Sequence, residues 1–305
     1  MVLEFLRLSG ADADVTDVER LSGSFTGRTY LTEFWGQKVV IKQRDERRAL
    51  LATQVMTRVM SRSKYPIQPL VLPVTELQGQ WFLGLGWLVG VPLSLTSVQH
   101  LGLQDRRQIG VDLIDWLETL QAHKASGAKW SVRADDRVYR KRLQALRLGA
   151  LSAGEAETVR HAWEQQLHPA LTGVTPCLTH RDLHPANILL RERQFLTAID
   201  FEHARVADPL YDLVKVQDFI LPLDAELAAG IISALALETW DEEMWARFRA
   251  VCVLEYLSAV VYHAKRGEDR EVGERLTSLL EACESSSSFR PPLRRAWEGE
   301  TGPVV

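Results

Sequence analysis

Alternating apolar and polar positions dominate the first part of this chain, and helical spacing dominates the rest. Arg28 to Trp35 and Gln37 to Lys42 read as strands on either side of Gly36, which predicts a tight hairpin. Val39, Val40 and Ile41 in the second run are β-branched, as a packed strand prefers. From Arg44 to Arg62 the alternation stops and helix formers take over, so a helix is expected. Pro66 and Pro69 end it, because the residue before a proline is pushed toward extended backbone, and an extended run from Leu70 to Glu76 follows. Gln78-Gly79 reads as the next turn and Trp81 to Leu88 as an apolar strand.

After Gly90 and Pro92 the period changes. Ile109, Leu113, Leu117 and Leu120 form one apolar helical stripe. Ser152 with Glu155, and Thr239 with Glu242, have the spacing of a capping box at a helix start. Asp241 to Lys265 is expected to be a long core helix. A short β island, Pro176 to about Asp200, interrupts the helices. The end of the chain, SSSSFRPPLRRAWEGETGPVV, is polar and without period, so it is expected to be poorly ordered. The pattern predicts an α+β, bilobal chain. A small antiparallel-sheet N-lobe with one helix spans 1–88, and a hinge spans 89–96. A larger, mainly helical C-lobe fills 97–284, and the tail covers 285–305.

The β island holds the candidate chemistry. It reads His180-Arg181-Asp182-Leu183-His184-Pro185-Ala186-Asn187, then Ile188-Leu189-Leu190, and later Ala198-Ile199-Asp200-Phe201-Glu202. Phosphoryl transfer needs an acidic group for the attacking hydroxyl's proton, and oxygen ligands for Mg²⁺ beside the nucleotide phosphates. An Asn amide oxygen and an Asp carboxylate suit Mg²⁺, whereas Cys or His would not. Asp182 and Asn187, five apart on one loop, can face a common point, and Asp200 at the end of the next strand can close the site. The match to the kinase catalytic-loop pattern H-R-D-L-x-x-x-N is complete. The blander reading is a turn built from polar residues, which Asp and Asn often form.

The segment HRDLHPANILL…AIDFEHARVADPLYDL resembles the aminoglycoside phosphotransferase and choline kinase family, whose fold is protein-kinase-like. The resemblance implies Asp182 as catalytic base, Asn187 and Asp200 as Mg²⁺ ligands, and Asp212 as a brace of the loop. It places His180 in the catalytic loop, where it orients the loop by hydrogen bonds; His184 shapes the loop or touches substrate. Arg181 stands where small-molecule kinases more often have Gly and protein kinases have Arg. Only seven residues separate Asp200 from Asp208, too few for a long activation loop. Glu202 replaces the Gly of Asp-Phe-Gly, as in choline-kinase-like members.

On the nucleotide side, Lys42 ends the Val39-Val40-Ile41 run and matches the Val-Ala-Ile-Lys strand end that pairs ATP phosphates. Upstream, Ser22-Gly23-Ser24-Phe25-Thr26-Gly27 resembles the family's Gly-Ser turn without matching G-x-G-x-x-G. Ser24, Thr26 and Gly27 are its candidate phosphate contacts. The family pairs this lysine with a helix Glu. Glu46 is the only Glu between Lys42 and Pro69, and Gln54 is the alternative. Adenine is expected against Gly86 to Gly90, which brings in Trp87 and Val89, with Trp87 also readable as packing.

Bulk composition narrows the alternatives. A net charge of −4 argues against a general nucleic-acid binder. Three dispersed cysteines give neither a zinc pattern nor a disulfide framework. No signal peptide or membrane anchor is read at the N-terminus, so no membrane partner and a cytoplasmic protein are expected. Between Arg205 and Glu284 there are 16 acidic and 8 basic residues, consistent with an acidic cleft for a cationic acceptor or with plain solvated helix faces. The leading expectation is therefore a kinase that uses ATP and Mg²⁺ to phosphorylate a small-molecule hydroxyl, such as an amino sugar or amino alcohol. A protein kinase and a nucleotide-binding regulatory pseudokinase are the alternatives.

Overall fold

The computed structural model describes residues 1–10, 18–21, 27–34, 36–125, 130–284 and 290–299. Contacts gather them into two compact units: Met1–Asp105 with His180–Arg205, and Arg106–Thr179 with Val206–Val305.

The first unit starts with helix α1 (Val2–Leu8), followed by strands β1 (Val18–Leu21), β2 (Arg28–Phe34) and β3 (Gln37–Arg44). Helix α2 (Arg47–Met60) precedes β4 (Leu70–Leu77) and β5 (Gln80–Gly86). These strands form one antiparallel sheet in the order β1-β2-β3-β5-β4, and the Gly36 hairpin is present, with Phe34 opposite Gln37. Helix α1 was not legible as a helix, so the expectation of a single helix here is corrected. Its seven residues are too few to show a helical period. They hold their place by packing: Phe5 stacks on Phe82 with ring centroids 4.9 Å apart, and both join Leu6, Phe34, Val39, Ile41 and Leu72 in one core.

A second, smaller sheet belongs to the same unit. The two-residue strand β6 (Val91–Pro92) precedes helices α3 (Leu95–Gln99) and α4 (Leu103–Gln121). After α5 (Trp130–Arg147), α6 (Ala153–Ala162) and β7 (Cys177–Thr179) come β8 (Ile188–Arg191) and β9 (Gln194–Ala198). Strand β8 lies between β6 and β9, pairing Val91 with Leu190 and Ile188 with Ala198. This pairing draws the island into the unit that holds the N-terminal sheet, although the sequence sets it among helices.

The second unit is helical. After β10 (Arg205–Ala207) come α7 (Tyr211–Lys215), α8 (Ala225–Leu235), α9 (Glu242–Arg266), α10 (Asp269–Cys283) and α11 (Pro292–Trp297). The stripe Ile109, Leu113, Leu117, Leu120 is buried throughout, as its period requires. Helices α4 and α8 approach so closely at Gly110 and Gly230 that a Cβ on Gly230 would lie 2.0 Å from the Arg107 carbonyl oxygen. Ser152 and Glu155 make the expected capping box. Thr239 does not cap α9. Asp241 does, accepting from the Met244 N–H, while the Thr239 hydroxyl donates to the Ala236 carbonyl. The tail, expected without order, contains α11. There Leu293 is buried and the Arg294 guanidinium lies over Trp245. Residues 285–289 and 300–305 lie outside the described residues.

All three cysteines are buried and free, and burial pushes the Cys177 and Cys283 thiols up to about 12. Among the described residues no helix is long and apolar enough to cross a membrane.

Candidate active site

The loop after β7 is built around a neutral histidine. His180 is fully buried; its Nε2 donates to the Ile199 carbonyl at 2.9 Å, and its Nδ1 accepts from the Asp182 N–H at 3.3 Å. This pattern uses one ring nitrogen as donor and the other as acceptor, which only neutral imidazole can do. Burial drives its pKa down to about 4. A ring so occupied and so buried ties the Asp182 backbone to the Ile199 carbonyl at the end of β9.

Asp182 leaves that histidine with its carboxylate part-exposed, 3.7 Å from His184 Nε2. A 3₁₀ turn over Pro185–Asn187 then brings Asn187 back toward it. Asn187 Nδ2 donates to the Asp182 carbonyl at 2.9 Å and reaches its carboxylate at 3.3 Å. The same amide nitrogen lies 3.0 Å from His184 Nε2, so His184 belongs to the loop's internal bonding. With the nitrogen engaged, the side-chain oxygen of Asn187 faces away from these bonds. Two residues of this region hold backbone that L-residues rarely adopt: Arg181 at φ +68° and Asp200 at φ +69°. Such conformations persist only where the surroundings over-determine them, and they cluster at functional sites.

Asp200 follows β9 and meets Lys42 of β3. Lys42 Nζ is 2.7 Å from Asp200 Oδ1 and 2.8 Å from Glu202 Oε1, across almost 160 residues of chain. Burial disfavours the lysine's charge, but the two carboxylates outweigh it and raise its pKa. Loss of water around Asp200 works against its charge too, yet Lys42 holds its carboxyl down at about 2. The same opposition, won by Lys42 and Arg44, lowers Glu202.

The lysine's partner is therefore neither of the two expected. Glu46 stands exposed at the N-cap of α2 with no capping bond from its side chain, and Gln54 accepts from the Val74 N–H at 2.8 Å. Helix α2 carries no acidic residue at all, so the acid comes from the strand end instead. Sequence reasoning missed Arg44 as well. It sits two residues beyond Lys42 on the same face of β3, 3% exposed, with Nε 2.7 Å from Glu202 Oε2 and Nη2 on Glu202 Oε1. The available signal was the conjunction of an acid two residues after Asp200 with a helix that offers none.

Gly27 was expected to approach phosphate. Among the described residues it approaches Arg44: a Cβ there would lie 2.5 Å from the Gln43 carbonyl oxygen and 2.6 Å from Arg44 Cδ. Ser24 and Thr26 lie outside the described residues. At the end of β5 the Trp87 N–H already donates to the Lys38 carbonyl at 2.9 Å. Val89, 70% exposed, has no backbone hydrogen bond among the described residues, so its amide and carbonyl remain available.

One comparison decides the family. A family model described as the phosphotransferase enzyme family matches residues 17–251. The chain belongs to this family. It is an enzyme of the kinase type, a phosphotransferase. A comparison with curated proteins gives no match.

Solved structures of similar fold include a thermostable mutant of aminoglycoside phosphotransferase APH(4)-Ia in ternary complex with AMP-PNP and hygromycin B. It is 13% identical with TM-score 0.72, covering 93% of this chain and 98% of that one. The gentamicin complex of APH(2'')-IIa is 16% identical with TM-score 0.68, covering 94% and 97%. A GDP complex of an aminoglycoside 2'-phosphotransferase-IIIa mutant is 18% identical with TM-score 0.65, covering 92% and 96%. At such identity these likenesses speak for the fold alone, and it is the protein-kinase-like fold that the motif block led us to expect.

Proposed function

We propose that this enzyme moves the γ-phosphoryl group of ATP to a hydroxyl of a small molecule. The observation that carries the reading is that one compact unit holds two pairs drawn from separate stretches of chain, Lys42 on Asp200 and Asn187 on Asp182. When bound, Mg-ATP supplies the transferable phosphoryl group and a cation that neutralises its developing charge. The donor set fits that cation. Asn187 and Asp200 offer oxygens only, and among the described residues no group of three or more His, Cys, Asp or Glu side chains forms a closed metal cage. Mg²⁺ takes one or two carboxylates and leaves its other positions to phosphates and water.

In this reading Asp182 accepts or orients the proton of the attacking hydroxyl, and its part-exposed carboxylate is open to an incoming group. Asn187 fixes that carboxylate with its amide nitrogen and turns its oxygen to the metal. Lys42 serves the α- and β-phosphates, and the backbone of Val89 receives adenine. His180 holds the loop backbone.

The acceptor is set by other residues. In the helical unit many acids are already ion-paired: Asp208 with Arg247, Asp218 with Arg275, Asp224 with Arg106, Glu255 with Lys215. These acids are committed to partners within the fold, so the charge count overstates what is free to meet a cationic acceptor, which favours the plainer reading of that charge. Amino sugars still head the panel of acceptors to try, since solved relatives bind hygromycin B and gentamicin.

Two measurements test the proposal. Mg-ATP at ~100 times its Kd adds ~2.7 kcal/mol to the folded state, so the melting temperature should rise clearly. Turnover with amino sugars, choline, homoserine, sugars and a generic protein should then single out a small hydroxyl compound. Absence of any nucleotide-induced shift, with ATP or GTP and with or without Mg²⁺, would sink the reading.

A further inference from the structure

A lysine that serves phosphates needs an acid to hold it, and that acid should not itself be taken by the metal. Asp200 touches Lys42, but as a proposed metal ligand it is committed elsewhere once nucleotide is bound. Glu202 has no such claim on it. Its Oε1 lies 2.8 Å from Lys42 Nζ, and both its oxygens are gripped by the Arg44 fork. All three side chains are buried: Lys42 at 5% exposure, Arg44 at 3%, Glu202 at 7%. Arg44 has one nitrogen left, Nη1, and with it donates to the carbonyls of Arg28 at 2.9 Å and Gln43 at 2.8 Å. It is thus tied at once to the acid beyond β9 and to the chain entering β2, where Gly27 leaves room for it.

We propose that Arg44 and Glu202 are the positioning pair for Lys42, Glu202 taking the place of a helix acid and Arg44 locking it to the start of β2. The inference rests on the kinase reading above. Its physical basis is the fork geometry. A guanidinium that binds both oxygens of a carboxylate fixes its plane, which a point-charge lysine cannot do. With the carboxylate plane fixed, Oε1 presents one direction to Lys42, and the ammonium is held on the sheet rather than drawn fully onto Asp200. Helix α2 supplies no acid to this bracing; it packs instead against Phe201–His203, the turn that carries Glu202.

The experiment is a binding cycle with ADP in the absence of Mg²⁺, read by calorimetry, with kcat and KM for ATP measured alongside. Glu202→Gln should weaken ADP binding by about tenfold, the scale of one charge-assisted hydrogen bond. Arg44→Met should do the same, and the double variant should lose little more than either single one. In a Lys42→Met background, Glu202→Gln should cost nothing further, because it acts through the lysine. Glu46→Gln, at an exposed side chain that makes none of this cluster's bonds, should bind as wild type. Should the buried substitutions not fold, Glu202→Asp and Arg44→Lys keep the charges while spoiling reach and fork, and intermediate losses are expected. Variants that melt lower yet bind ADP with wild-type affinity would reduce the pair to a structural brace and overturn the proposal. So would an effect of Glu202→Gln that persists in the Lys42→Met background. Wild-type protein that binds no nucleotide at all would bring down the kinase reading and this inference together, which is a different result from wild-type binding with indifferent variants.

Discussion

Two polar centres lie in the first unit, and they are built on opposite principles. Around Lys42, four charged side chains meet, with Lys42, Arg44 and Glu202 buried and Asp200 part-exposed: two cations from β3 and two carboxylates from beyond β9, every charge facing its opposite. Around Asp182, one part-exposed carboxylate is held by neutral groups, the Asn187 amide and the His180-oriented backbone. A buried ion cluster is costly to disturb, since removing one member strands another charge out of water. A carboxylate held by neutral donors keeps its charge free for an incoming proton. The first arrangement is suited to fixing position, the second to doing chemistry, and substitutions in the two should fail in different ways.

The sharpest way to break that contrast is Asp182→Asn. Size and hydrogen bonding stay, and the carboxylate goes. General-base contributions are typically ~10²–10⁴-fold, so kcat at saturating acceptor should drop by about that much while nucleotide affinity stays nearly constant. Asp200→Asn should show the reverse emphasis, weakening metal-dependent nucleotide binding. Equal loss of nucleotide affinity in both would erase the division of labour drawn here.

Next in size is a pH effect that belongs to the neutral half of the comparison. In the unfolded chain His180 takes up its proton near 6.5, but in the fold only near about 4, because burial penalises the charged ring. Between those values the unfolded state binds more protons, so stability is fully present above 6.5 and drains away as the pH falls toward 4. The difference corresponds to about 3 kcal/mol. Urea unfolding from pH 7 to pH 4 should show this slope, and His180→Asn should flatten it whatever its effect on absolute stability. The ion cluster joins only lower down, since Asp200 resists protonation until about 2. A profile flat between pH 6.5 and 4.5 would mean that His180 is not held neutral in the way its hydrogen bonds require.

The two centres also differ in how well the sequence announces them. The Asp182 loop was legible because its residues are neighbours: a kinase-type spacing within eight positions, a strand on either side, and Asp200 at the distance one hairpin allows. The Lys42 cluster was only half legible. The lysine declares itself at the end of Val39-Val40-Ile41, but its partners lie some 160 residues away, and no local period encodes that meeting. Helix spacing pointed to Glu46 and Gln54 because the helix acid was sought where the family keeps it. Short elements were hidden for a related reason: α1 and α11 are held by burial of Phe5 and Leu293 rather than by propensity. At α9 the expected cap stood two residues early: Asp241 caps the first turn, and the Thr239 hydroxyl is taken by the Ala236 carbonyl.

The smallest predicted effect tests where the ion cluster ends. Gly27 has been read as a residue that lets backbone come close to phosphate, yet its neighbours in the structure are the Gln43 carbonyl and the Arg44 side chain. An added methyl would meet a carbonyl oxygen at 2.5 Å, and backbone cannot swing aside as a long side chain can. Gly27→Ala should therefore cost about 1–3 kcal/mol of stability, the usual scale of overpacking, seen as a lower urea midpoint. Because Arg44 must shift, Glu202 and then Lys42 should follow, and ADP affinity should fall along with stability. If Gly27 instead served phosphate directly, Gly27→Ala in an Arg44→Met background would still weaken ADP binding. On the geometry here it should not, because without the guanidinium there is nothing left for the methyl to displace except the carbonyl of Gln43, which bears on stability and leaves the nucleotide lysine untouched.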